Sequence, residues 1–187
     1  MRVLVVVDMQ NDFIDGALGT EEARAIVPKV IEKIRNFNGD KIIYTMDTHD
    51  EDYLETMEGK KLPVPHCIDR THGWNLNEQV ETEINIARTE RGIAELGLYK
   101  YTFGSTDLYH DLTRIFYRDT EPGTYFEVEF VGLCTDICVI SNVMIAKASI
   151  PEAVIKVDAS CCAGTSIEAH KNALYAMKQC HIDIVNE

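Results

Sequence analysis

Arg2-Val3-Leu4-Val5-Val6-Val7 runs straight into Asp8. An unbroken apolar run rich in β-branched residues predicts a parallel strand buried on both faces, since a strand with one wet face alternates instead. Further along, Ala23, Ile26, Val27, Val30, Ile31 and Ile34 recur at three and four, the spacing of an amphipathic helix, behind Gly19-Thr20. Lys41 to Met46 reads as a second strand. After it, Asp47 to about Asn77 shows no clear period and carries two of the five prolines and three of the six histidines. A loop that long inside a compact domain is usually functional.

The remainder alternates in the same way. A helical pattern covers Glu78 to Ile86, and Leu98 to Thr102 is a brief third strand. Ser105 is placed to cap a helix carrying Leu108, Leu112, Ile115 and Phe116. Tyr125 to Val131 is the fourth strand, Asp136 to about Ala148 a helix, and Ala153 to Val157 the fifth strand. Thr165 and Glu168 form a T-x-x-E capping box before a helix reaching about Cys180, and Ile182 to Val185 closes the series. Strands alternating with helices imply a three-layer α/β/α domain, its sheet mainly parallel and covered on both faces. No repeat, linker or low-complexity segment divides the chain, so residues 1–187 are expected to form one domain, with 47–77 as its functional loop.

Composition narrows the function. With 31 acidic residues against 18 Lys and Arg, the net charge is −13. This argues against partners such as nucleic acid or an anionic membrane, which demand a concentrated positive surface. The 45% of apolar residues suffices for a core. The first apolar run is too short to span a bilayer and has no cleavage signal after it, so a soluble, cytoplasmic protein is expected. Six cysteines without a C-x-x-C pair support neither a zinc knuckle nor a disulfide framework. Most are expected to be buried thiols, with the neighbours Cys161 and Cys162 in a strand.

In parallel sheets the chemistry lies beyond the carboxyl ends of the strands. Four stations meet that condition: Asp8 to Phe13, Asp47-Thr48-His49, Lys100 to Phe103, and Gly132 to Cys138. Cys138 falls in the first turn of a helix, where unpaired N–H groups favour a thiolate and can receive a developing oxyanion. Cys134 reads as a pocket wall or backbone donor. Asp8 ends an apolar strand, so desolvation should raise its pKa toward that of a general base. Lys100 can balance its charge or that of the thiolate. Asp47 and His49 project from one face of an extended segment, His66 comes from the same loop, and Glu58 or Glu55 can add a carboxylate. Two histidines and a carboxylate suit Zn²⁺, Fe²⁺ or Mn²⁺. His72, His110, His170 and His181 read as surface or core residues.

Taken together, these pieces resemble the isochorismatase-like cysteine hydrolases, and among them the nicotinamidase/pyrazinamidase group. The pieces are Asp8-x-Gln10-Asn11-Asp12-Phe13, Asp47-x-His49, Pro65-His66-Cys67, Lys100 with Phe103, and Gly132-Leu133-Cys134-Thr135-Asp136-x-Cys138-Val139. The resemblance implies a six-stranded sheet of order 3-2-1-4-5-6 and a catalytic triad of Asp8, Lys100 and Cys138. It implies an oxyanion hole from the backbone of Cys134 and Cys138, with a cis peptide at Leu133–Cys134. Phe13, Phe103 and Leu133 would line the substrate pocket. One divalent metal, zinc by preference, would sit on Asp47, His49 and His66, with Glu58 close to the position of a further ligand in some relatives. The implied reaction converts nicotinamide or a close carboxamide, such as pyrazinamide, to the acid and ammonia through a cysteine thioester. A small-molecule carboxamide is thus the expected partner, and a homo-oligomer is compatible with this reading.

Two features depart from that group. Leu62-Pro63-Val64-Pro65-His66-Cys67 stands where many nicotinamidases read Trp-Pro-Pro-His-Cys, so the ring-sandwiching tryptophan is missing; Trp74 and Tyr53 are the candidate substitutes. The Lys100–Phe103 stretch is also shorter than in many relatives. Competing readings are another hydrolase of the family, of the isochorismatase or N-carbamoyl amidase type, and a non-catalytic binding protein. Isochorismatases lack the metal set, and a binding protein needs only one triad position lost.

Overall fold

The computed structural model describes residues 1–187. Its elements, in chain order, are β1 (Arg2–Val7), α1 (Asn11–Ile14), α2 (Glu21–Asn36), β2 (Lys41–Asp47), α3 (Glu78–Arg91), β3 (Ala94–Lys100), α4 (Thr106–Tyr117), β4 (Glu127–Leu133), α5 (Ile140–Ser149), β5 (Val154–Ala163), α6 (Ile167–Gln179) and β6 (Asp183–Val185). A π-helical turn, Thr135–Val139, leads into α5, and a single 3₁₀ turn, Tyr53–Glu55, interrupts the long loop.

The six strands form one sheet in the order β3-β2-β1-β4-β5-β6, and every pairing is parallel. β1 lies at the centre, and Val3 to Val7 are all essentially inaccessible. Val3, Val5 and Val7 join the core formed with α4, α5 and α6, while Leu4 and Val6 join the opposite core formed with α1, α2 and α3. Burial on both sides is what removes alternation from the sequence of β1. Truncating Leu4 to Ala would leave a cavity costing about 2–5 kcal/mol.

The connections switch sides between β1 and β4, so the crevice between these strands is the natural place for a ligand. The chain must pass tightly there. Gly132 pairs with Val7 at φ +119°, and a Cβ on it would sit 2.1 Å from the Val7 carbonyl oxygen. Only glycine fits that approach without moving the two strands apart.

The structure shifts several expected boundaries. β3 runs over Ala94–Lys100 rather than Leu98–Thr102, and β5 extends to Ala163 instead of stopping at Val157. The helix before the last strand is capped by Ser166, whose hydroxyl accepts from the Ala169 N–H, and not by Thr165. Thr165 is diverted because its hydroxyl and N–H both donate to Asp136. Thr20, Asn77 and Ser105 cap α2, α3 and α4 with their side-chain oxygens. All six cysteines are free, and Cys161 and Cys162 face opposite cores. No helix is long and apolar enough to cross a membrane.

Candidate active site

Strand register assembles the site. Asp47 is paired directly with Lys100 across β2 and β3, and Val7, which precedes Asp8, is paired with Thr45. Three charged side chains therefore meet at the carboxyl end of the sheet. Lys100 Nζ lies 2.7 Å from Asp8 Oδ2, 2.9 Å from Asp47 Oδ1 and 3.4 Å from Cys138 Sγ. Thr45 donates its hydroxyl to Asp8 Oδ1 at 2.6 Å. Asp8, Lys100 and Cys138 are all buried, so Lys100 is no solvated edge lysine.

Burial and mutual charge set the protonation of this group. Burial pushes the Asp8 carboxyl above the ordinary value, aided by the Asp47 charge and opposed by Lys100. Burial pulls Lys100 down, but Asp8, Cys138 and Asp47 together hold its ammonium well above the usual range. The Cys138 thiol is pushed well up by burial and then by the Asp8 charge, with Lys100 opposing. Burial and the two carboxylates Asp8 and Asp47 therefore oppose the thiolate that the helix start was expected to favour, while Lys100 supports it.

A second cluster adjoins the first. The ligand-type atoms of Asp47, His49, Glu58 and His66 all lie within 4.8 Å of one another. His49 Nε2 is 3.0 Å from Asp47 Oδ2 and 3.5 Å from Glu58 Oε1, and His66 Nε2 is 3.5 and 3.8 Å from the same two oxygens. The His66 Nδ1–H donates to the Val64 carbonyl at 2.8 Å, which turns Nε2 toward the carboxylates. Glu58 Oε1 is buried and makes no hydrogen bond. Two imidazole nitrogens and two carboxylate oxygens converging on one point, one of them unsatisfied, fit a divalent metal ion. Glu58 belongs to this group, whereas Glu55 is exposed on the 3₁₀ turn.

The fixing of the long loop was not foreseen from the sequence. Gln10, wholly buried, donates its Nε2 to the carbonyls of Asp47 and Trp74 and accepts the Asp47 N–H on Oε1. Asp12 accepts the Cys67 N–H at 2.7 Å, which fixes the chain next to His66. Tyr53 packs its ring 4.6 Å from His49 and 5.0 Å from His66, and its hydroxyl donates to the Leu62 carbonyl. Asn142 donates to the carbonyls of Cys138 and Phe103 and accepts the Ser105 N–H, joining the cysteine turn to the Phe103 loop. The signal available was a run of polar residues following an apolar strand, which marks anchoring without naming the partners.

Members of both clusters line a cavity of about 300 Å³, walled by Phe13, Leu18, Ala23, Leu62, Phe103, Leu133 and Ile137 together with Asp47, Glu58, His66, Cys134 and Cys138. Phe13, Phe103 and Leu133 all line this cavity, and the Leu133–Cys134 peptide is cis. Neither candidate for the missing tryptophan faces the cavity. Tyr53 lies among the histidine rings. Trp74 donates its Nε1–H to Thr48 and packs on Tyr99, outside the cavity. Leu62 and Phe103 supply apolar wall instead.

Known proteins are similar to this chain in sequence and fold. The family model described as the isochorismatase domain matches residues 2–186. A Bacillus subtilis (strain 168) protein, called an uncharacterized isochorismatase family protein, PncA, is 30% identical over 145 residues, 74% of each chain. A crystal structure of nicotinamidase/pyrazinamidase PncA from Bacillus subtilis superposes with a TM-score of 0.80 at 25% identity, covering 99% of both chains. The pyrazinamidase of Pyrococcus horikoshii, crystallised in complex with zinc, superposes with a TM-score of 0.72 at 26% identity, covering 100% of this chain and 99% of the other. With the sheet order, the cysteine after β4 and a family match over almost the whole length, this chain belongs to the isochorismatase family.

Proposed function

We propose that this protein is a nicotinamidase-like amidohydrolase. It would convert nicotinamide, or a close carboxamide such as pyrazinamide, to the carboxylic acid and ammonia. The observation that carries the reading is Lys100 Nζ lying 2.7 Å from Asp8 and 3.4 Å from Cys138, beside a cavity also lined by Asp47 and His66. Its support among relatives is that structures at 25–27% identity are nicotinamidases or pyrazinamidases.

In this mechanism Asp8 takes the proton from the Cys138 thiol as the sulfur attacks the amide carbon. The oxyanion that forms is received by the backbone N–H groups of Cys134 and Cys138. As the C–N bond breaks, Asp8 returns the proton to the leaving nitrogen, which departs as ammonia. The resulting thioester is attacked by water, whose proton Asp8 accepts. The C–S bond then breaks and the thiol is restored. Lys100 stays charged throughout and offsets the negative charge moving between Asp8 and sulfur. Asp47, His49, His66 and Glu58 would hold the divalent metal, zinc in this proposal, which when bound supplies a Lewis acid for the ring nitrogen. Phe13, Leu62 and Phe103 would cover the ring and exclude water.

An isochorismatase reading is disfavoured by the cluster of Asp47, His49, Glu58 and His66, a metal-type set that isochorismatases are expected to lack. The deciding experiment measures ammonia release from nicotinamide, pyrazinamide, benzamide and an N-carbamoyl amino acid, with and without chelator. Turnover of nicotinamide above benzamide, lost on chelation, is the expected result. Preference for the N-carbamoyl compound, or equal metal-free turnover of nicotinamide and benzamide, would reject the proposal.

A further inference from the structure

The turn bearing Cys138 is tied to the start of α6 by side chains outside the catalytic trio. Thr135, wholly buried, places its hydroxyl 2.8 Å from His170 Nδ1, and that bond is the hydroxyl's one partner. Next to it, the Asp136 carboxylate accepts the Thr165 N–H at 2.8 Å and the Thr165 hydroxyl at 2.6 Å. Gly164 makes this closeness attainable, because a Cβ there would lie 2.7 Å from Asp136 Oδ1 and 2.9 Å from the His170 backbone nitrogen. Gly164 and Thr165 also line the substrate cavity, whereas His170 does not. Burial lowers the His170 pKa, against the pull of Asp136 and with that of Lys171, which favours the neutral ring.

We infer that His170 is a positioning residue for the proposed reaction: through Thr135 it holds the Cys134–Cys138 turn against the cavity. This rests on the amide-hydrolase reading above. A buried hydroxyl left without a partner loses its hydrogen bond with no water to replace it, so the turn would shift to satisfy it. Thr135 is one residue from Cys134 and three from Cys138, so any such shift moves the oxyanion donors relative to the sulfur. Misplacement of about 1 Å at a reacting group can cost about a hundredfold in rate. Because His170 is outside the cavity, the loss belongs to kcat and not to KM.

Three variants test this. His170→Phe keeps the ring volume without Nδ1, His170→Asn keeps an amide at the Nδ1 position, and Thr135→Val removes the partner hydroxyl. Steady-state constants for nicotinamide, the rate of Cys138 alkylation by iodoacetamide and thermal midpoints are measured for each, and for the Phe–Val double variant. The Phe and Val variants are expected to lose about tenfold in kcat with KM within about twofold. The double variant should lose no more than either single one, and His170→Asn should recover most of the rate. Wild-type kcat in the Phe and Val variants, losses that multiply in the double variant, or no recovery in His170→Asn would each overturn the inference. If the wild-type chain does not hydrolyse nicotinamide, the amide reading itself has failed. The alkylation rates then decide alone, by the same pattern.

Discussion

Lys100 and Lys33 each bridge two carboxylates. Lys100 stands 2.7 and 2.9 Å from Asp8 and Asp47, and Lys33 stands 2.8 and 2.6 Å from Glu129 and Asp158. Their surroundings differ. The Lys100 side chain is 1% exposed, while Lys33 is 23% exposed at the edge of an open polar groove. Asp158 also accepts from the N–H and hydroxyl of Ser160 and from the Asn186 amide, and burial is outweighed by these bonds and Lys33, so its pKa falls. Asp8 has one hydroxyl besides its shared ammonium, and burial raises its pKa. Equal charge inventories thus give a satisfied structural ion in one place and, in the other, a carboxyl of raised pKa beside a thiol, which the proposed mechanism uses as its proton acceptor.

Substitutions beside either lysine separate the two environments. The largest effect is expected at Asp8. Asp8→Asn keeps the shape but cannot carry a proton, so kcat should fall by about 10²–10⁴ while KM changes little. A variant in which KM alone rises would make Asp8 a binding residue. Next comes the metal cluster beside Lys100. His49→Ala should lower metal affinity by at least about 10–100-fold, read by metal content after dialysis, and should weaken the preference for nicotinamide over benzamide. Unchanged metal retention would remove His49 from the ligand set.

At Lys33 the expected effect is on stability alone. Asp158→Asn should cost about 1–2 kcal/mol, a value kept small because Lys33 is partly solvated, and should leave kcat unchanged. The Asp158 pKa is below its ordinary value of 3.8. Its contribution is therefore fully present above that value and is lost as pH falls through the depressed folded-state pKa. Thermal midpoints of wild type and variant should differ at pH 7 and converge in acid. Curves that stay parallel down through the acid range would show that the charge of Asp158 is not what stabilises the pair.

The same two places explain what the sequence could and could not reveal. Strand β1 was legible because both its faces are dry. The stations of the candidate site were legible because each lies at the carboxyl end of a strand. Strand β5 was cut short because Asp158 interrupts its apolar run, and only the structure shows the buried pairing with Lys33 that makes this charge acceptable. There the β4–β5 register also slips, from Phe130 opposite Val157 to Gly132 opposite Cys162. The start of β3 was hidden in another way. Gly97 weakens the strand pattern, yet it leaves room for Tyr44, whose ring would lie 2.6 Å from a Cβ at that position. Gln10, Asp12 and Asn142 act on backbone groups distant in sequence, and no local spacing encodes such partners. The raised Cys138 pKa likewise depends on two carboxylates brought in by other strands.

In the proposed mechanism the buried Lys100 site serves covalent chemistry on Cys138. The decisive measurement is ammonia release from nicotinamide by the Cys138→Ala variant, at a thermal midpoint matching the wild type. No release above the uncatalysed rate is expected. Wild-type turnover in that variant would rule out Cys138 as the nucleophile and leave Cys134 as the next thiol to examine.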